Sequence, residues 1–172
     1  YYVIRMGSIV EEELKINSEK FFDYASSFKR SDFLDAYLFS KCAFVISVTT
    51  GVDELAKLFN KPICYVNFVI LKHLRTHWKS LTTFKKIRNK KTGKLLPYYH
   101  LLLRELEECQ DGNVFNSHNI GFVDNTSEEI LYSIKEFLEK IVHNKETFVQ
   151  SKIQIDFKNS YLDNFISNGN KG

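Results

Sequence analysis

The stretch Phe44-Val45-Ile46-Ser47-Val48-Thr49-Thr50-Gly51-Val52-Asp53-Glu54-Leu55-Ala56-Lys57-Leu58-Phe59-Asn60-Lys61-Pro62-Ile63-Cys64-Tyr65-Val66-Asn67-Phe68 decides the fold. It divides into an apolar run (44–48), a small polar loop (49–51), an amphipathic segment (53–60), a stop at Lys61-Pro62 and a second apolar run (63–68). This spacing predicts strand, tight loop, helix, strand. Both strands are continuous apolar runs, as expected where a parallel sheet is covered on both faces. They lie too far apart in the chain for a hairpin and suit a right-handed βαβ crossover.

The chemistry of such a unit sits where the first strand hands over to the helix. The first backbone amides of a helix have no partner inside it, and its dipole makes that end partly positive. Phosphate binds well there. Gly51 would let backbone come close to a ligand, Thr49 and Thr50 add hydroxyls, and Asp53 competes for the same amides as a cap. A plainer reading stands beside this one: Gly51 only makes the turn and Asp53 only caps the helix.

Outward from this unit, Tyr1 to Met6 reads as a strand ending at Arg5-Met6-Gly7-Ser8. A cation and a glycine at a strand's carboxyl end again suit a phosphate or a sugar. Phe21 to Ala25 is a candidate short strand. Arg30-Ser31-Asp32 opens a helix, with Ser31 or Asp32 as cap and Asp35 in the first turn. That helix runs into Cys42 and the Phe44 strand, so the order is α/β winding. Pro97 is placed in the first turn of a helix through Glu108. Asp111-Gly112-Asn113 is read as a turn, and Asn119 to Val123 as the last strand. Thr126 with Glu129 spells a capping box, which explains Asn125-Thr126-Ser127 better than glycosylation does.

The 172 residues fit one domain with a sizeable core. The expected boundaries are an α/β domain over 1–149 and a helical tail, partly frayed, over 150–172. The opening on Tyr1-Tyr2-Val3-Ile4 reads as mid-strand, so an upstream portion is expected. Cys42, Cys64 and Cys109 have no CxxC spacing and suggest reduced, mostly buried thiols. His73 and His77 share helical spacing, but no carboxylate or thiol accompanies them, and no metal site is assigned.

Net charge is +3, unevenly placed. Leu55 to Arg104 contains twelve of the 24 Lys and Arg residues and no acid, while 21 acids outnumber the other twelve cations elsewhere. A purely basic half suits polyanions, phosphates or an anionic membrane face. Within it, Lys85 to Lys94 reads as an exposed loop. The aromatic spacing of an RNA-binding sheet is missing, so nucleic acid is not expected as a partner.

Several motifs in order carry a resemblance: Tyr2-Val3-Ile4-Arg5-Met6-Gly7-Ser8, Arg30-Ser31-Asp32-Phe33-Leu34-Asp35, Lys41 to Ser47, Thr50-Gly51-Val52-Asp53 and Pro62 to Phe68. Together they resemble the second domain in a family of bacterial glycosyltransferases known mainly from sequence. The helix after Asp124-Asn125-Thr126 is similar to the closing helix of two-domain (GT-B) transferases. The resemblance implies a Rossmann-like three-layer α/β/α domain with a mostly parallel sheet, the C-terminal domain of a GT-B fold.

Such a domain binds a nucleotide-sugar donor across a cleft from an N-terminal partner domain of the same chain. The donor is a substrate, and no cofactor is implied. A weaker likeness to fucosyltransferase-type enzymes puts Arg5 against the donor phosphates. The residues expected at the donor are Arg5, Gly7, Arg30, Ser31, Asp32, Thr49, Thr50, Gly51 and Asp53, with Asn67, His73 and Arg75 as further candidates. Where relatives carry Gly-Ser/Thr-Gly in the loop, this chain has Thr49-Thr50-Gly51, and the missing glycine stiffens the loop.

The implied reaction is metal-independent transfer of a sugar to a surface-polysaccharide or lipid-linked acceptor, in the cytosol or at the inner membrane face. Protein cations and helix N-termini would stabilise the departing diphosphate. The resemblance leaves the catalytic base to the other domain. Two other readings stay open: a non-catalytic nucleotide-binding or interaction domain, and a sugar-nucleotide epimerase of the same architecture.

Overall fold

In the computed structural model, which describes residues 1–74, 79–102, 104, 106, 109–143, 152, 155, 156 and 159, the deciding stretch forms the expected unit. Strand β3 (Val45–Ser47) and strand β4 (Ile63–Phe68) pair parallel in one sheet, Val45 opposite Ile63 and Ser47 opposite Tyr65. Helix α2 between them spans Asp53–Leu58. It stops sooner than expected because Asn60 turns left-handed (φ 54°), and the Lys61 amide closes back on the Ala56 carbonyl at 2.8 Å. Asn tolerates that conformation, so the helix has ended before Pro62 comes into play.

The molecule is mixed α/β. Strands β1 (Val3–Arg5) and β2 (Phe21–Asp23) form a parallel pair. Helix α1 (Asp32–Lys41) follows, and Ser31 caps it by accepting the Leu34 amide. The second sheet has the order β3-β4-β5, all parallel, with β5 at Ser80–Phe84. After the single residue Lys85 the chain enters β6 (Lys86–Asn89), which belongs to an antiparallel sheet with β7 (Leu95–Leu96) and β8 (Ile120–Val123). Helices α3 (Tyr99–Leu102), α4 (Gly112–Ser117) and α5 (Ser127–Phe137) complete the described elements, α5 continuing as a π turn to Val142.

Three expectations are corrected here. Lys85 to Lys94 is not an exposed loop throughout: Lys86–Asn89 is a strand, and Ile87 on it is buried. Charge on alternate residues hid its period of two. The segment 111–113 is not a free turn, because Asp111 accepts the Asn113 amide (2.8 Å) and caps α4. Among the described residues, the helix expected up to Glu108 covers Tyr99–Leu102, and Arg104 and Leu106 lie outside any helix.

Strand β4 organises the core. Its alternate side chains part into two clusters, as pleating requires. Ile63 and Tyr65 pack with Phe39, Ala56 and Phe68, which brings in α1 and α2. Cys64 and Val66 pack with Phe137, Ile130 and Ile134 of α5. Strict alternation would put Phe68 with Cys64. The register slips between Tyr65 and Phe68, and Asn67 is left-handed (φ 52°), so Phe68 swings to the α1–α2 side. A third cluster, with Leu71, Ile87, Leu101, Phe115 and Ile120, lies under the antiparallel sheet. Phe84 touches both this cluster and the α1–α2 cluster. At the same corner, the half-buried Tyr98 donates its hydroxyl to the Lys85 carbonyl (2.7 Å).

Candidate functional site

The carboxyl ends of β1 and β3 hold most of the residues expected at a donor. Arg5 ends β1 opposite Asp23, which ends β2. Its Nη1 pairs with Asp23 Oδ2 at 3.0 Å and donates to the Glu12 carbonyl at 2.8 Å. Asp23 also accepts the Leu14 amide (2.8 Å) and the Ser26 hydroxyl (3.1 Å). The Leu14 amide, with the Arg5 and Ser26 bonds, holds its carboxyl below the usual range. Arg5 therefore ties the loop after β1 to β2, and part of its guanidinium is committed.

Gly7 follows with φ 154°, a backbone that L side chains avoid, and a Cβ there would sit 3.5 Å from Val10 Cγ1. Arg30 crosses to this loop, its Nη1 donating to the Ser8 carbonyl at 3.1 Å. Its Nε is buried and has no hydrogen-bond partner among the described residues. Ser31 is fixed by Tyr24, whose hydroxyl accepts the Ser31 amide (3.1 Å). Burial pushes the Tyr24 phenol up. Asp32 begins α1 on the exposed side. The loop after β1 and the start of α1 thus meet at Arg30.

The loop after β3 differs from its expected form. Asp53 does not cap α2: Val52 occupies that place without a side-chain bond. Asp53 is buried and folds back to accept the Thr50 amide (3.0 Å) and the Thr50 hydroxyl (3.3 Å). Desolvation raises its carboxyl, opposed by hydrogen bonds from Ser47 and Thr50. Gly51 makes no close approach, since a Cβ there would meet nothing within 4 Å. The strained residue is Thr49, left-handed at φ 70°, its Oγ1 buried without a partner among the described residues. A non-glycine residue in that region costs on the order of 1–3 kcal/mol. Met6 and Val52 pack against one core cluster, which ties the β1 end to the start of α2.

The further candidates separate from this corner. Asn67 is structural: its Oδ1 accepts the Asn125 amide (2.7 Å), and Asn125 Oδ1 accepts the Asn67 amide (2.9 Å). Asn125 also donates to the Phe84 carbonyl (2.9 Å) and is buried, so its amide group is committed to the fold. The capping box beside it is present, Glu129 accepting the Thr126 amide at 2.9 Å. His73, exposed, ends a 3-10 turn that begins at the buried Leu71. Arg75 and His77 lie outside the described residues, and most of the tail after 143 does too. Among the described residues no three His, Cys, Asp or Glu side chains gather as metal ligands, and no helix is long and apolar enough to cross a membrane. The three thiols are unpaired. Cys64 is buried, which pushes it up to about 12, whereas Cys42 and Cys109 are only half-buried.

Sequence reading missed an open groove of about 530 Å³ between β5–β6 and α5, lined by Thr83, Phe84, Lys86, Glu129, Tyr132 and Ser133. The Lys86–Glu129 ion pair (2.5 Å) lies in it, and Thr83 donates to Ser133 at 2.7 Å. Only the capping box announced this end of α5; the groove depends on packing between distant segments. Comparison with protein-family models, curated proteins and solved structures gives no match for this chain.

Proposed function

We propose that this chain is the donor-binding half of a metal-independent glycosyltransferase, a Rossmann-like three-layer domain that holds a nucleotide-sugar through its diphosphate. The observation that carries the reading is Arg30. It joins the Gly7-Ser8 loop to the start of α1 and keeps at that corner a buried Nε with no partner among the described residues. A guanidinium matches phosphate oxygens in a planar fork, and the first amides of α1 face the same charge. Thr49 supports the reading: its strain and orphan hydroxyl lie at the carboxyl end of β3, where open α/β sheets take ligands. Sugar transfer breaks the bond between the anomeric carbon and the diphosphate oxygen. Arg30 and the α1 amides would take up the charge that develops on that oxygen. An N-terminal partner domain would hold the acceptor, whose hydroxyl oxygen forms the new bond to the anomeric carbon while a base of that domain takes its proton.

A second reading, a nucleotide-binding or interaction domain without catalysis, draws on Asp53. Its carboxylate fills the Thr50 amide that a phosphate would use, and Arg5 is partly committed to Asp23. The donor site itself is tested at Arg30. A charge-assisted hydrogen bond contributes about 1.5–3 kcal/mol, so Arg30→Ala is expected to weaken nucleoside-diphosphate binding about ten- to a hundredfold. Lys91→Ala, on an exposed turn, should leave it unchanged. Calorimetric titration of UDP, GDP and CMP into the chain and both variants reads this directly. Equal affinity in Arg30→Ala would remove the donor-site assignment.

A further inference from the structure

Sheet β7-β6-β8 turns Ile87, Leu96 and Phe122 inward to the third core cluster. On its opposite face Arg88 stands between Leu95 on β7 and Gly121 on β8. A Cβ at position 121 would come within 3.2 Å of Lys90 Cγ and Cε and 3.4 Å of Arg88 Nε. Gly121 therefore leaves the space in which two cationic side chains lie next to each other. The turn beyond them is rigid. Asn89 Oδ1 accepts the Lys91 and Thr92 amides (2.9 and 3.0 Å), and Gly93, left-handed at φ 70°, donates to the Asn89 carbonyl at 2.8 Å. Lys91 and Lys94 are held exposed on it.

Charge is compensated at one end of β6 and not at the other. Lys85 pairs with Asp124 (2.6 Å) and Lys86 with Glu129 (2.5 Å). Among the described residues, the Lys90 ammonium donates to the neutral Asn116 side chain and pairs with no carboxylate. Among the described residues, no carboxylate pairs with Arg88, Lys91 or Lys94. Neighbouring like charges repel, and a fixed turn cannot spread them apart. Leu95, an apolar side chain opposite Arg88, is 65% exposed. Cations around a protruding apolar side chain match a bilayer surface, where lipid phosphates meet the charges and the apolar group enters the headgroup boundary. Single-stranded nucleic acid would call for aromatic stacking platforms, and positions 86 to 97 hold no aromatic residue.

We infer that the β6–β7 hairpin docks this domain on an anionic lipid surface, through Arg88, Lys90, Lys91, Lys94 and Leu95. The inference does not depend on the nucleotide reading. The test is flotation of the chain with vesicles of phosphatidylcholine alone and of equal parts phosphatidylcholine and phosphatidylglycerol. Binding is expected only to the second, fading as salt is raised. Removing Arg88, Lys91 and Lys94 together, all to Ala, should lower partitioning about a hundredfold, about fivefold for each cation. Leu95→Ser should lower it further at fixed salt. These side chains are exposed, and an unchanged circular dichroism spectrum verifies folding of each variant. Equal binding to neutral vesicles, no binding to either kind, or undiminished binding by the triple variant would overturn the inference. So would undiminished binding by Leu95→Ser, or displacement from the vesicles by polyuridylate at matched phosphate concentration.

Discussion

Phe137→Ala is expected to lower folding stability by about 3–5 kcal/mol, the cost of removing a large buried ring. Phe137 is fully buried near the C-terminal end of α5. Its ring meets Phe44 edge-on, centroids 5.7 Å apart, and packs with Cys64 and Val66 of β4. Apart from Phe137, that cluster takes its buried members from β4, so the void would lie between the helix and the central strand. The surrounding strands are hydrogen-bonded on both sides of β4 and cannot collapse into it. Urea unfolding measures the loss from the midpoint at constant slope. Phe137→Leu should cost much less, since it keeps most of the volume. A loss below about 1 kcal/mol for the alanine variant would mean that α5 does not cover this face of β4.

Asn125→Ala is expected to cost about 3 kcal/mol, from two backbone groups left unpaired at roughly 1–3 kcal/mol each. One is the Asn67 amide and the other the Phe84 carbonyl. Asn67 is already left-handed, and its position switches Phe68 between the two faces of the sheet. Loss of the Asn125 bond should therefore loosen the bulge as well as the loop before α5. Asn125→Asp keeps the acceptor for Asn67 but turns a buried carboxylate oxygen toward the Phe84 carbonyl, so it too is expected to fall below the parent. Thermal or urea unfolding is expected to place both variants below the parent. A parent-like midpoint for Asn125→Ala would show that these contacts do not hold the corner.

The parallel β3–β4 pairing was legible because both runs are apolar, and Asn60-Lys61-Pro62 marks the end of the helix between them. The caps at Ser31 and Thr126 were legible because capping is local: a hydroxyl and an amide three residues on. The antiparallel sheet was not legible. Lys86, Arg88 and Lys90 mask the inward residue, Ile87, whose partners are Leu96 across the hairpin and Phe122, distant in the chain. The roles of Arg5 and Asp53 were hidden for a related reason. Each looks available in sequence, and each is engaged by a residue that sequence spacing does not single out, Asp23 and Thr50. Arg30 was legible as a cation before a helix. Its bond to Ser8, which unites the two loops, was not.

The central claim is that a diphosphate binds at the corner formed by Gly7, Ser8 and Arg30 at the start of α1. Amide chemical-shift mapping of the labelled chain during titration with UDP, GDP and CMP tests it most directly. The account predicts that at least one nucleoside diphosphate shifts the amides of Gly7, Ser8 and residues 30–33, with Thr49 and Thr50 following, while Lys91 and Thr92 stay in place. No shift with any nucleotide, or shifts confined to the groove beside α5 or to the hairpin turn, would contradict it.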